Sequence, residues 1–149
     1  YGMSTSTARS TAVANIADRA AGYSMPGVIV DGNNFSAVSE ASSAAIERAR
    51  RGEGPTLIES KTYRHRGHSK SDRNRYRTKE EIDEWKELRD PIALFESDLR
   101  QFGILNDAGI EEVRASVEKE IADAIQFAKD SPMPNTGAAL DYVYTELPQ

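Results

Sequence analysis

Apolar positions recur along this chain with two different periods. After a Pro26-Gly27 turn, the β-branched run Val28-Ile29-Val30 predicts a short buried strand. Asp31-Gly32-Asn33-Asn34 then supplies turn chemistry and a helix N-cap. Phe35, Val38, Ala41, Ala45 and Ala49 mark one face of a helix that ends at Arg51-Gly52. Thr56-Leu57-Ile58-Glu59-Ser60 is the next strand. Strand, helix and strand with short connections read as a βαβ unit, hence a parallel sheet in an α/β fold. Ahead of this unit, residues 1–10 are small and polar and predict a loop with at most a short turn. A helix from about Ala12 to Ala21, stopped by Gly22, follows them.

Beyond residue 77 the period becomes helical. Thr78-Lys79-Glu80-Glu81 fits a capping box, in which the Thr78 hydroxyl and the Glu81 carboxylate each take a free backbone N–H. Its helix carries Ile82, Trp85 and Leu88. Asp90-Pro91 starts another, with Ile92, Phe95, Leu99 and Phe102 on its apolar face and Gly103 as its stop. Trp85 and Phe95 are expected to be core or interface anchors. Ile110, Val113, Val117, Ile121, Ala124 and Ala128 describe a longer amphipathic helix ended by Ser131-Pro132. The stretch through Pro148 is expected to be extended, with Tyr142 and Tyr144 packed against other residues. Neither an internal repeat nor a low-complexity tract is present.

Charge changes the picture at one place. Residues 61–79 hold eight of the nineteen Lys and Arg residues but only one of the twenty-four carboxylates, Asp72, a formal +7. The remaining eleven cations and twenty-three carboxylates sum to −12, so the chain carries −5 overall. Solubility needs no such concentration; a positive island on an acidic chain suits the holding of an anion. The net charge argues against general nucleic-acid binding, except through the island. At 149 residues one domain is expected. No apolar run approaches the roughly 20 residues that cross a bilayer, and no signal peptide is recognisable. Without cysteine, disulfides, thiolate metal sites and a cysteine nucleophile are excluded. Tyr1-Gly2-Met3-Ser4-Thr5-Ser6-Thr7 reads like the middle of a loop, as expected for a piece of something longer.

Both histidines, His65 and His68, lie in the island. His68 falls several residues beyond the second strand, where ligands of open parallel sheets bind. Gly67 beside it permits close backbone approach. An imidazole here, with Arg64 and Arg66 nearby, can hydrogen-bond a diphosphate. Ser69 and Ser71 add hydroxyl donors, and Asp72 can tie the loop by accepting backbone N–H bonds. The plainer reading is a solvated or interfacial cluster of arginines in which His68 is only a loop residue. Neither Gly-x-Gly-x-x-Gly nor Gly-x-x-x-x-Gly-Lys-Ser/Thr is present. The two histidines lack the carboxylate spacing of a zinc helix. Asn34-Phe35-Ser36 matches a glycosylation acceptor by chance, and the glutamates of the long helix read as solvated surface.

Thr62-Tyr63-Arg64-His65-Arg66-Gly67-His68-Ser69-Lys70-Ser71-Asp72 with Tyr76-Arg77 closely resembles a loop of the α subunit of thiamine-diphosphate-dependent 2-oxo acid dehydrogenases. This is the E1 component of pyruvate, acetoin and branched-chain 2-oxo acid dehydrogenase complexes. Further matches run in order along the chain: Tyr1-Gly2-Met3, Pro26-Gly27 with Val30-Asp31-Gly32, Gly52-x-Gly54-Pro55, Thr78-x-Glu80-Glu81-Ile82 and Asp90-Pro91-Ile92.

The resemblance implies that His68 contacts the cofactor diphosphate and is the residue on which catalysis depends, with Arg64, Tyr1 and Gly2 as further cofactor neighbours. It implies that the Tyr1 backbone carbonyl ligates Mg2+, a hard cation that takes oxygen ligands. Ser69 matches the serine phosphorylated by a dedicated kinase in mitochondrial relatives, where added negative charge beside the diphosphate would disorder the loop. The family's Gly-Asp-Gly…Asn-Asn motif, source of the other magnesium ligands, would lie before Tyr1. Asp31-Gly32-Asn33-Asn34 imitates its ends at the wrong spacing and after a different strand, and is rejected as the metal site. His65 and Arg66 replace an aromatic residue and a histidine of some relatives.

The implied layout is the C-terminal part of a thiamine-diphosphate-binding α/β domain over 1–62, a diphosphate-contacting basic loop over 63–78, and a helical region over 79–149. The complete α2β2 enzyme, with a β subunit that supplies the carboxylate activating the cofactor, would decarboxylate a 2-oxo acid (or cleave acetoin). It would pass the acyl group to the lipoyl-bearing E2 acyltransferase, and this chain alone would be inactive. The implied setting is the bacterial cytoplasm, or the mitochondrial matrix in a eukaryote, with no membrane or nucleic-acid partner. The alternative is a binding module whose basic loop engages nucleic acid or an acidic partner, or helices that serve only as a subunit interface.

Overall fold

The computed structural model describes residues 1–141, and it resolves into two compact units, Tyr1–Ile104 and Leu105–Gln149. In the first unit a single helical turn, α1 (Thr7–Ser10), precedes a 3-10 helix over Ile16–Tyr23. Strand β1 (Gly27–Asp31), helix α2 (Phe35–Arg50) and strand β2 (Leu57–Lys61) follow, and the strands pair in parallel from Gly27 opposite Leu57 to Asp31 opposite Lys61. The expected βαβ unit is therefore present as a two-stranded parallel sheet.

The caps are local and form as the side chains dictate. Asn34 accepts the Ala37 N–H at 2.9 Å and opens α2. At the other end, Gly52 at φ 76 reverses the chain, and Arg48 donates to the Gly54 and Pro55 carbonyls at 2.6 and 2.8 Å. On α2 the half-buried positions include Val38, Ala41 and Ala45, whereas Phe35 is 55% exposed, its ring 4.2 Å from that of Phe95.

The helix expected over 12–21 is instead a 3-10 helix that begins at Ile16, runs past Gly22 and ends where Ser24 turns left-handed at φ 54. Ala17 and Ala20 are its buried positions, and their spacing of three suits a helix with three residues per turn. A Cβ on Gly27 would lie 2.3 Å from the Ala17 carbonyl oxygen, so only glycine allows the helix this close to β1. Glu59 of β2 holds it there, accepting the Ala17 N–H at 2.9 Å while pairing with Lys61 at 2.6 Å.

Helices α3 (Lys79–Leu88) and α4 (Pro91–Gln101) begin where expected, with Thr78 accepting the Glu81 N–H at 3.1 Å and Asp90 those of Ile92 and Ala93 at 2.9 and 3.2 Å. The capping box at Thr78 is only half made. The Glu81 carboxylate faces the Tyr1 hydroxyl at 3.4 Å instead of turning back on the Thr78 backbone. In the second unit α5 spans Asp107–Asp130, capped by Asn106, and a 3-10 turn follows over Thr136–Leu140. That turn replaces the start of the expected extended tail, and Tyr142 and Tyr144 lie outside the described residues.

The predicted apolar faces are real, but the described chain leaves much of them uncovered. Ile29 of β1 is 47% exposed, and Leu88, Ile92 and Phe102 are each more than 65% exposed. Of the α5 stripe Ile110 is buried, while Val113, Val117 and Ile121 remain about half exposed.

Candidate functional site

The basic segment leaves the sheet at the carboxyl end of β2, the edge at which open parallel sheets bind ligands. Its first residue is anchored: Thr62 donates to Asn33 Oδ1 at 2.6 Å, and the buried Asn33 donates to the Arg89 carbonyl at 2.7 Å. Asp31 Oδ1 accepts the Asn33 N–H, and Asn34 caps α2. The Asp-Gly-Asn-Asn sequence is thus consumed in shaping this edge.

The segment then sorts its residues by side. Arg64, Arg66, His68, Ser69, Lys70, Ser71, Arg73 and Arg75 are exposed, while Tyr63, His65, Asp72, Asn74, Tyr76 and Arg77 turn inward. Two hubs organise it. At the first, Asp72 Oδ2 lies 2.8 Å from His68 Nδ1, 3.2 Å from the His68 backbone N and 3.0 Å from the Tyr76 hydroxyl, and Oδ1 accepts the Asn74 N–H at 2.9 Å. These donors, the Asn74 N–H foremost and then His68 and Tyr76, outweigh burial and hold the carboxyl at about 2, below its ordinary 3.8. Burial raises the Tyr76 hydroxyl, which therefore stays a donor. A Cβ on Gly67 would sit 2.6 to 2.7 Å from the Asp72 side chain. The glycine is needed so that this carboxylate can close onto the loop.

The second hub is Arg77, 8% exposed. Its guanidinium donates to the carbonyls of Arg64 and His65 and to Asn74 Oδ1, and it lies 5.1 to 5.9 Å from the ring centres of Tyr63, Tyr76 and Tyr1. The charge count placed Arg77 among the anion-holding cations. Its side chain instead staples the loop from inside. Tyr63 stacks on Trp85 at 4.9 Å with an angle of 5°, so Trp85 anchors α3 to the loop, as Phe95 anchors α4 to α2.

The residues singled out for the site gather unevenly. His68 is held through Nδ1 by Asp72, its side chain 39% exposed and its Nε2 without a partner among the described residues. The Arg64 side chain, four residues earlier, is exposed, its carbonyl taken by Arg77. Tyr1 joins this assembly through its ring, 5.2 Å from Tyr76 and 6.1 Å edge-on to Tyr63. Gly2 spends its N–H and carbonyl on Thr5, at 2.9 and 3.1 Å. Ser69 is exposed, its hydroxyl 3.0 Å from that of Ser71.

Chemically, a carboxylate on Nδ1 orients an imidazole and leaves Nε2 to meet a ligand. When protonated, an imidazole held this way donates its Nε2–H to an anionic oxygen, which fits the diphosphate of a cofactor. Among the described residues no three His, Cys, Asp or Glu side chains gather to hold a metal. Sequence reasoning missed Asn74, Tyr76 and Arg77 as builders. Asp-x-Asn, the spacing of an Asx turn, was the available signal for the first.

Because Asp72 ionises at about 2 in the folded chain and near 3.8 when free, its support is complete above 3.8 and is lost as pH falls through 2. The His68 and Asn74 amide resonances are expected to titrate together near the lower value. A shared midpoint near the free value would mean that the carboxylate is not gripped.

The model of the family described as the dehydrogenase E1 component matches residues 1–137. The α subunit of acetoin:2,6-dichlorophenolindophenol oxidoreductase of Bacillus subtilis (strain 168) is 42% identical over 144 residues, which cover 97% of this chain and 43% of that protein. The 2-oxoisovalerate dehydrogenase α subunit of the same organism is 40% identical over 147 residues, 98% of this chain and 44% of the relative. The pyruvate dehydrogenase E1 component α subunit of Rickettsia conorii is 35% identical over 144 residues, 97% of this chain and 44% of its own length. The chain spans less than half the length of each of these three relatives. With nearly all of its residues inside the family match, the chain belongs to the dehydrogenase E1 component family.

Proposed function

We propose that this chain is part of an E1 α subunit of a 2-oxo acid dehydrogenase, acting in thiamine-diphosphate-dependent oxidative decarboxylation of a 2-oxo acid or in acetoin cleavage. The observation that carries this reading, beside the family match, is the imidazole of His68 fixed through Nδ1 by Asp72 at 2.8 Å, with Nε2 open on a cationic loop at the end of a parallel strand. When bound, thiamine diphosphate supplies the electron sink for breaking the bond beside the oxo carbon.

The protein's part is to grip and orient. His68 contacts the diphosphate and Arg64 adds charge, while Tyr1 and Gly2 border the cofactor from the preceding turn. The Tyr1 carbonyl contributes one oxygen to a Mg2+ whose remaining ligands come from outside the described residues. A thiamine-diphosphate-binding α/β domain followed by a helical region is the fold in which these roles make sense.

The exposed apolar side chains of α4 and α5, such as Ile92, Leu94 and Val117, support a β subunit as partner in an α2β2 assembly. Acyl transfer to lipoamide on the E2 acyltransferase completes the reaction, in the cytoplasm of a bacterial cell or in the mitochondrial matrix of a eukaryote. Phosphorylation of Ser69 would place negative charge next to the diphosphate grip and weaken it. This chain alone is inactive in this reading.

The test joins the chain to the upstream segment of a family α subunit, adds a β subunit, and follows reduction of dichlorophenolindophenol. Turnover that depends on both thiamine diphosphate and a 2-oxo acid or acetoin is expected. Absence of cofactor-dependent turnover with pyruvate, branched-chain 2-oxo acids and acetoin alike would reject the assignment.

A further inference from the structure

The loop carries more free cationic charge than a diphosphate grip by His68 and Arg64 requires. Lys61 is paired with Glu59, and Arg77 is buried. Arg73 and Arg75, in contrast, are exposed and hold no ion pair among the described residues. They stand two residues apart on a turn pinned between them at Asn74, whose N–H is held by Asp72 at 2.9 Å. With Ser4, Ser71, Asp72 and Tyr76 they line an open groove of about 580 Å³. Tyr1, Gly2, Arg64 and His68, the residues assigned to the diphosphate, do not line it.

We propose that this groove is a second anion site, which takes a phosphoryl group of a small molecule between Arg73 and Arg75. Two guanidinium forks with the Ser4 and Ser71 hydroxyls offer more donors than a carboxylate has oxygens to receive. A phosphoryl group, with three acceptor oxygens and up to two charges, matches them better. The single carboxylate in the wall, Asp72, already faces the N–H groups of His68 and Asn74 and the Tyr76 hydroxyl, so the two arginines set the sign of the field. The groove is larger than one phosphate needs and falls within the roughly 300–1,000 Å³ typical of small-molecule sites. Asp72 and Tyr76 belong both to this groove and to the network that holds His68. An anion clamped here would stiffen the support of His68, a coupling that rests on the role proposed for that residue; binding itself does not.

Calorimetric titration of the full chain carrying Arg64→Ala and His68→Ala, which removes the diphosphate grip, with inorganic pyrophosphate and, separately, with ADP tests the site. One saturable event per chain is expected, weakened about tenfold or more when Arg73→Ala and Arg75→Ala are combined. Combining Arg73→Lys with Arg75→Lys should give an intermediate loss, since charge is kept and the forks are removed. Tighter binding of ADP would identify a nucleotide using the Tyr76 wall, and equal binding the phosphate group alone. No saturable binding in that background, or binding that survives the further loss of both arginines, overturns the proposal. Thiamine-dependent turnover is not read here, so this outcome is separable from that of the proposed activity.

Discussion

Replacing His68 by alanine in the reconstituted enzyme is expected to lower thiamine-diphosphate-dependent turnover and cofactor affinity by about 10- to 100-fold. That range corresponds to losing one hydrogen bond to a charged group, about 1.5–3 kcal/mol. The useful comparison is Lys70→Ala, because Lys70 is an exposed cation two residues away. If the loop acted only as a patch of charge, removing a lysine would cost at least as much as removing a histidine. An exposed charge is worth about 0–1 kcal/mol, so Lys70→Ala should change little. The His68 side chain differs in being aimed, with Asp72 at 2.8 Å from Nδ1. Equal effects of the two substitutions would remove the special role of the imidazole.

Arg77→Ala is expected to release the loop as a whole. The substitution leaves the Arg64 and His65 carbonyls without their donor, leaves Asn74 Oδ1 with the Tyr76 hydroxyl at 3.2 Å, and opens a hole among three tyrosine rings. Unsatisfied groups of this kind cost about 1–3 kcal/mol each when buried, so a loss of local stability of about 3–5 kcal/mol is expected. Trypsin should then cut at Arg64, Arg66, Lys70, Arg73 or Arg75 at least about tenfold faster, because local opening governs cleavage. Arg77→Lys should not rescue the loop, since an ammonium on a single stem cannot span acceptors that a planar fork reaches together. Unchanged cleavage in Arg77→Ala would show that the tyrosines and Asp72 suffice.

The contrast between these two residues marks how far the site was legible in the sequence. His68 stood out because both histidines, one glycine and most of the excess positive charge fall in one short stretch after a strand. Asp72 was readable as a loop tie because its bonds to the His68 and Asn74 amides span four and two residues. Arg77 was counted with the other cations. Its burial depends on Tyr1 and Tyr63, which are remote in sequence, and no periodicity announces such a contact. Glu81 failed for the same reason: Thr78-x-x-Glu81 is a correct local rule, but the Tyr1 hydroxyl claims the carboxylate.

What this chain's sequence determined by itself is what short-range chemistry controls. The two strands, the crossover helix and their parallel pairing follow from apolar period and connection length. The caps at Asn34, Thr78, Asp90 and Asn106 follow from side chains that reach amides two or three residues ahead. The tertiary structure alone decided that residues 16–23 wind as a 3-10 helix, since the close approach of Gly27 and the Glu59 grip on Ala17 act across the fold. It also decided which cations face outward and that Arg77 is buried as a staple. Those choices turn on burial and on partners distant along the chain, and a side chain's charge is the same in either place until its surroundings are fixed.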